Sequence, residues 1–117
     1  MKVIIAGSRH FTHLSNEYIG SIVYKSDFLC AEVVCGCADG VDTAGESWAD
    51  HNLIQVTYFK PDWELYGNRG GPIRNSKMAA YADALILIWD GTSKGSQDMK
   101  SKMEKLNKPV YEVILKV

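Results

Sequence analysis

Apolar positions in this chain follow two patterns that alternate from one end to the other. Short, largely continuous runs read as strands: Val3-Ile4-Ile5-Ala6, Glu32-Val33-Val34-Cys35, Ile54 to Phe59, Ala84 to Trp89 and Val110 to Leu115. The continuous run Val3 to Ala6 suits a strand covered on both faces, and Ile54 to Phe59 is rich in the β-branched and aromatic residues that strands favour. Between them apolar residues recur at helical spacing. Leu14, Tyr18, Ile19, Ile22 and Val23 mark a first helix, and Val41, Ala44, Gly45, Trp48 and Ala49 a second. A third opens at Pro72, since proline is tolerated at the first helical position, and continues through Ile73, Met78, Ala79, Ala80 and Ala82. Met99, Met103 and Leu106, at i, i+4 and i+7, mark a fourth.

Strands that alternate with helices imply βα units, parallel pairing and right-handed crossovers. The predicted fold is therefore α/β: one domain over residues 1–117, a Rossmann-like, doubly wound three-layer sandwich of about five parallel strands. Ala84 to Trp89, the most apolar strand, is expected at its centre. No apolar run approaches the ~20 residues of a membrane helix, so no membrane partner is expected.

Composition narrows the function classes. Hydrophobic residues make up 46% of the 117, enough for a buried core. Thirteen basic against fourteen acidic residues give a net charge of -1. Proteins that hold nucleic-acid backbones usually carry a basic excess or stripe, so a nucleic-acid partner is disfavoured. The lysines at 100, 102, 105 and 108 are diluted by Asp98 and Glu104 and read as a solvated helix face. An odd count of three cysteines, Cys30, Cys35 and Cys37, argues against a disulfide framework and for a reducing, cytoplasmic setting. Cys35-Gly36-Cys37 lacks a second Cys/His pair at ligand spacing, so the thiols read as structural and no metal site is expected.

The unusual residues gather where strands end. Gly7-Ser8-Arg9 follows the first strand and Gly36-Cys37-Ala38-Asp39-Gly40 the second. Asp90-Gly91, then Ser93, Gly95 and Ser96, follow the fourth. In doubly wound sheets ligands sit beyond these carboxyl ends, near the switch in strand order. Glycine lets backbone approach a ligand, helix N-termini present free N–H groups, and serine and arginine add donors for phosphate oxygens. The expected phosphate-binding residues are Gly7, Ser8, Arg9, Gly36, Cys37, Ala38, Asp39, Gly40, Asp42, Arg74, Asn75, Asp90, Gly91, Ser93, Gly95 and Ser96. Neither G-x-G-x-x-G nor G-x-x-x-x-G-K-[ST] is present, which disfavours a conventional dinucleotide dehydrogenase or a P-loop ATPase.

The stretch from Lys60 to Gly71, with three glycines, is the longest connection and is expected to be irregular and functional. Trp63 and Tyr66 are candidates for stacking on a base, with the edge of the core as their alternative place. Arg74 and Asn75 open the helix that follows.

These motifs stand in a specific order: Ala6-Gly7-Ser8-Arg9, Gly36-Cys37-Ala38-Asp39-Gly40-Val41-Asp42, Pro61-Asp62-Trp63, Gly71-Pro72-Ile73-Arg74-Asn75 with Met78, Ala82-Asp83-Ala84, Trp89-Asp90-Gly91-Thr92-Ser93-Lys94-Gly95-Ser96 and Lys108-Pro109-Val110. The series resembles the SLOG superfamily over essentially the whole chain, and within it the small YspA-like group. That resemblance implies a Rossmann-like domain for nucleotides or nucleotide-derived ligands. Its relatives include the LONELY GUY phosphoribohydrolases and the DNA-processing DprA proteins. It also implies that the turns at 36–42 and 91–96 are phosphate-binding loops.

The chain departs from the hydrolase pattern, in which a P-G-G-x-G-T-x-x-E loop supplies a glutamate for N-glycosidic cleavage. Laying Gly95-Ser96 on its G-T places Met99 at the glutamate, with Asp98 one position early, a rotation of about 100° on a helix. Asp98 and Asp90 are the candidate catalytic carboxylates, and Asp39 and Asp42 could substitute from other turns. The leading expectation is binding or sensing of a nucleotide-derived ligand resembling ADP-ribose or NAD. The alternative is a phosphoribohydrolase, and the third is nucleic-acid binding in the manner of DprA. No cofactor is required, although Mg²⁺ commonly accompanies nucleotides. Self-association is an open option, with the Met99-Met103 stripe and Trp48 either meeting a second copy or covering the sheet.

Overall fold

The computed structural model describes residues 1–116, so Val117 of the predicted domain span lies outside the described residues. Five parallel strands form one sheet: β1 (Lys2–Gly7), β2 (Glu32–Cys35), β3 (Gln55–Tyr58), β4 (Ala84–Trp89) and β5 (Val110–Ile114). Their spatial order is β3-β2-β1-β4-β5. The most apolar strand, β4, is thus one place from the centre, and β1 is central. Both are covered on each face, so hydropathy alone does not separate them.

Alternate residues of the inner strands feed two cores. Val3, Ile5, Ala84, Ile86 and Ile88 pack with residues of α1 (Asn16–Ser26) and α2 (Val41–His51), including Ile19, Ile22, Val41 and Trp48. Ile4, Ala6, Leu85, Leu87 and Trp89 pack with Met78 and Ala79 of α4 (Gly70–Tyr81) and with Met99 and Met103 of α5 (Lys94–Lys105). Full burial of a side chain of this size contributes about 1.5–3 kcal/mol. Met99, Met103 and Trp48 therefore cover the sheet, and on opposite faces. They offer no shared surface to a second copy.

Helix starts follow local chemistry. Ser15 caps α1, its Oγ accepting from the Tyr18 N–H at 3.1 Å. The predicted irregular stretch is largely helical instead. Asp62 caps a single turn, α3 (Trp63–Tyr66), by accepting from the Leu65 N–H. A 3₁₀ turn at Gly67–Arg69 then runs directly into α4. Pro72 stands third in α4, still within the first turn, where its missing N–H has no intrahelical acceptor to lose. Gly67 opens the 3₁₀ turn, and Gly70, Gly71 and Pro72 occupy the first turn of α4, whose N–H groups have no intrahelical acceptor.

Candidate functional site

The chain runs β1, β2, β3 outward in one direction and then crosses to β4 and β5 on the other side of β1. The turns after β1 and β4 therefore diverge, which opens a crevice between them, as expected at a topological switch point. A cleft of about 300 Å³ occupies that crevice.

Its floor is built by close backbone packing. Gly7 pairs with Ile88, and a side chain there would run into the Ile88 carbonyl. Ser8 is buried, donates its N–H to the Ile88 carbonyl at 3.1 Å, and accepts from the Asp90 N–H through Oγ at 3.1 Å. The β1 and β4 turns are thereby stitched together. Gly40 has φ +75, and a Cβ on it would collide with the backbone oxygens of Ser8 and Arg9. That contact brings the N-terminus of α2 against the β1 turn.

Most of the predicted residues converge here. Gly7, Ser8, Arg9, Ala38, Asp42, Arg74, Asn75, Ser93, Gly95 and Ser96 line the cleft. Gly36 adjoins it, its carbonyl accepting from Nη1 of Arg74. Cys37 and Asp39 line an adjacent cavity of about 270 Å³. That cavity shares Arg9, Ala38 and Arg74 with the cleft. Gly40 faces a third hollow with Asp39 and Arg9. Gly91 is exposed, with φ +87, and shapes the β4 turn.

Arg74 is held in place by its neighbours. Nε donates to Oδ1 of Asn75 at 2.8 Å and Nη1 to Gly36, and Nη2 has no partner among the described residues. Burial lowers its pKa, partly offset by Asp42. Asn75, itself buried, donates to the Gly95 carbonyl at 3.3 Å and to Oδ2 of Asp98 at 3.0 Å. It thus links α4 to the start of α5.

Asp42 is only 4% exposed. Burial pushes its carboxyl from 3.8 up to about 6, against the Ala38 N–H, Arg74, the Gly7 N–H and Arg9, which all favour the anion. The candidate catalytic carboxylates are engaged elsewhere. Asp98 binds Asn75 and Lys102 Nζ (2.8 Å), and Asp90 accepts from the N–H groups of Thr92 and Ser93. Those N–H groups hold the Asp90 pKa below the usual carboxylate range. Met99 is on the cleft wall.

Trp63 lines the adjacent cavity with Arg9 and Arg74, whereas Tyr66 faces a separate notch of about 30 Å³. Ala6, His10, Met78 and Met99 complete the cleft wall, and of these Met99 is the residue that aligns with the hydrolase glutamate. His10, whose Nε2 is 3.9 Å from Oδ2 of Asp90, was legible only as the residue following Ser8-Arg9 at a strand end.

The arrangement suits an anion. Two guanidinium groups, the Ser93 hydroxyl (not used in capping) and the N-terminus of α5 border one space. It does not suit a resident divalent cation, because Asp42 is the one carboxylate lining the cleft and it faces both arginines.

The fold is a Rossmann-like α/β sandwich. It is shared with a solved protein, DNA processing protein A (DprA) from Streptococcus pneumoniae, at a TM-score of 0.75 and 16% identity. The match covers 99% of this chain and 51% of that one, so the chain spans about half the length of DprA. No protein-family model and no curated protein matches the sequence. Among the described residues, no helix is long and apolar enough to cross a membrane.

Proposed function

We propose that this chain is a SLOG-type domain that binds or senses a nucleotide or nucleotide-derived ligand, of the ADP-ribose or NAD kind, through its phosphate. One observation carries the reading: Arg9, Arg74 and the N-terminal turn of α5 border a single cleft at the switch point. Phosphate oxygens placed there meet charge-assisted donors and the positive end of a helix dipole together. The DprA-like fold is compatible with the reading. DprA is named for DNA processing, but the near-neutral charge of this chain favours a small ligand over a nucleic-acid backbone.

A second reading, N-glycosidic phosphoribohydrolysis, draws support from Asp42, a buried carboxyl poised near neutrality in the cleft. Against it stands Met99 at the position of the hydrolase glutamate, with Asp98 and Asp90 committed to the fold. The deciding experiment incubates the purified chain with a nucleotide panel and reads retained ligand and released base by mass spectrometry. Retention of an intact nucleotide is the expected result. Released base, abolished by Asp42→Asn, Asp98→Asn or Asp90→Asn, would establish the hydrolase and name its carboxylate. Neither retention nor release would overturn both readings.

A further inference from the structure

The connection between β3 and α4 carries a large aromatic residue that the core does not use. Trp63 is 48% exposed, and it belongs to neither hydrophobic cluster. The other two tryptophans, Trp48 and Trp89, are buried. Exposed apolar side chains are common, but this indole is also fixed in place beside the cleft.

Its position is set by two glycines. A Cβ on Gly70 would stand 3.0 Å from Cε3 of Trp63, and one on Gly71 would stand 3.2 Å from Cη2. The ring therefore rests along bare backbone at the start of α4, closer than a side chain at either position would comfortably allow. The Asp62 cap fixes the turn from which it projects. The same Gly71 Cβ position is 3.8 Å from Nη2 of Arg74. Trp63 thus stands beside the one Arg74 nitrogen that has no partner among the described residues.

Trp63 and Pro61 form the outer wall of the 270 Å³ cavity, which meets the cleft along Arg9, Ala38 and Arg74. An anion held by the two arginines is flanked on one side by the cleft and on the other by this indole. Resting on the proposed phosphate site, we infer that Trp63 is an aromatic subsite, stacking the base of a nucleotide whose phosphate lies between Arg9 and Arg74. Tyr66 has no such part, because its 30 Å³ notch is too small for a base. Stacking on an aromatic side chain tolerates any base, since each has a π-face.

The test compares AMP with ribose 5-phosphate, which differ by the base alone, on the full chain. Calorimetry gives affinities, and acrylamide quenching reports on Trp63, the one exposed tryptophan. AMP is expected to bind more tightly than ribose 5-phosphate and to shield Trp63, which ribose 5-phosphate leaves open. Trp63→Ala should lower AMP affinity roughly ten- to a hundredfold and leave ribose 5-phosphate affinity unchanged. Trp63→Phe, which keeps a π-face, should recover most of the loss. Equal binding of the two probes, or AMP affinity untouched in Trp63→Ala, would overturn the aromatic subsite and leave the phosphate site standing. Failure of both probes to bind would overturn the subsite and the phosphate site together.

Discussion

Asp42 and Arg74 face each other across Gly36 without closing an ion pair. A Cβ on Gly36 would stand 2.9 Å from Oδ2 of Asp42 and 3.0 Å from Nη1 of Arg74, so the missing side chain is the gap between them. Each still feels the other: Arg74 favours the Asp42 anion, and Asp42 favours the charged Arg74, while burial opposes both. With Nε and Nη1 engaged, the Nη2 donors of Arg74 have no partner among the described residues and are open to a ligand.

Gly36→Ala should close this gap. The added methyl presses on Asp42, Arg74 and Cε of Met78 at 3.2 Å. Overpacking of this kind costs about 1–3 kcal/mol. The expected outcome is a lower denaturation midpoint together with weaker AMP binding, measured by urea unfolding and calorimetry.

Asp42 should make stability fall as pH rises. Its folded pKa of about 6 exceeds the ordinary 3.8, so between these values the folded chain binds the extra proton. Stability is then greatest below about pH 4, as far as this group is concerned, and declines until about pH 6, by on the order of 3 kcal/mol. Asp42→Asn should flatten this part of the profile and be more stable than the wild type at pH 8. Urea unfolding from pH 4 to pH 8 on both proteins checks it, and parallel profiles would refute it.

Arg9 is exposed and makes no ion pair among the described residues, yet it borders the cleft and both adjoining cavities. Arg9→Ala should leave the melting temperature unchanged and weaken nucleotide binding by about 1.5–3 kcal/mol, the loss of a hydrogen bond to a charged group. Unchanged affinity would remove Arg9 from the site.

Gly40→Ala should be among the most damaging single substitutions in the chain. Its φ of +75 is strained for any side chain, and the Cβ would collide with the Ser8 and Arg9 carbonyls. Backbone strain alone costs about 1–3 kcal/mol, and the collision adds to it. Circular dichroism melts provide the measure, and a midpoint near wild type would show that the β1 turn can retreat from α2.

Much of this protein's fold is legible in its sequence. Continuous apolar runs identified β1 and β4, which are covered on both faces, and β-branched and aromatic residues identified the edge strand β3, where Gln55 and Tyr58 are exposed. Glycine, serine and arginine at strand ends pointed to the crevice at the switch point, because such sheets commonly bind ligands there. The same signals could not order the strands. Hydropathy reports that a strand is covered, and β1 and β4 are covered equally, so the centre fell to β1 only through the crossover between β3 and β4. Nor did spacing separate Trp63 from Tyr66, three residues apart on one turn, whose surroundings are a cavity of about 270 Å³ and a notch of about 30 Å³. Asp98 and Asp42 show the same division. As sequence letters they are equivalent carboxylates, but Asn75 and Lys102 bind one while burial beside Gly36 raises the pKa of the other. Local periodicity and turn chemistry act over a few residues and are written in the chain. Burial, charge pairing and cavity shape arise between residues far apart in it, and only the packed structure decides them.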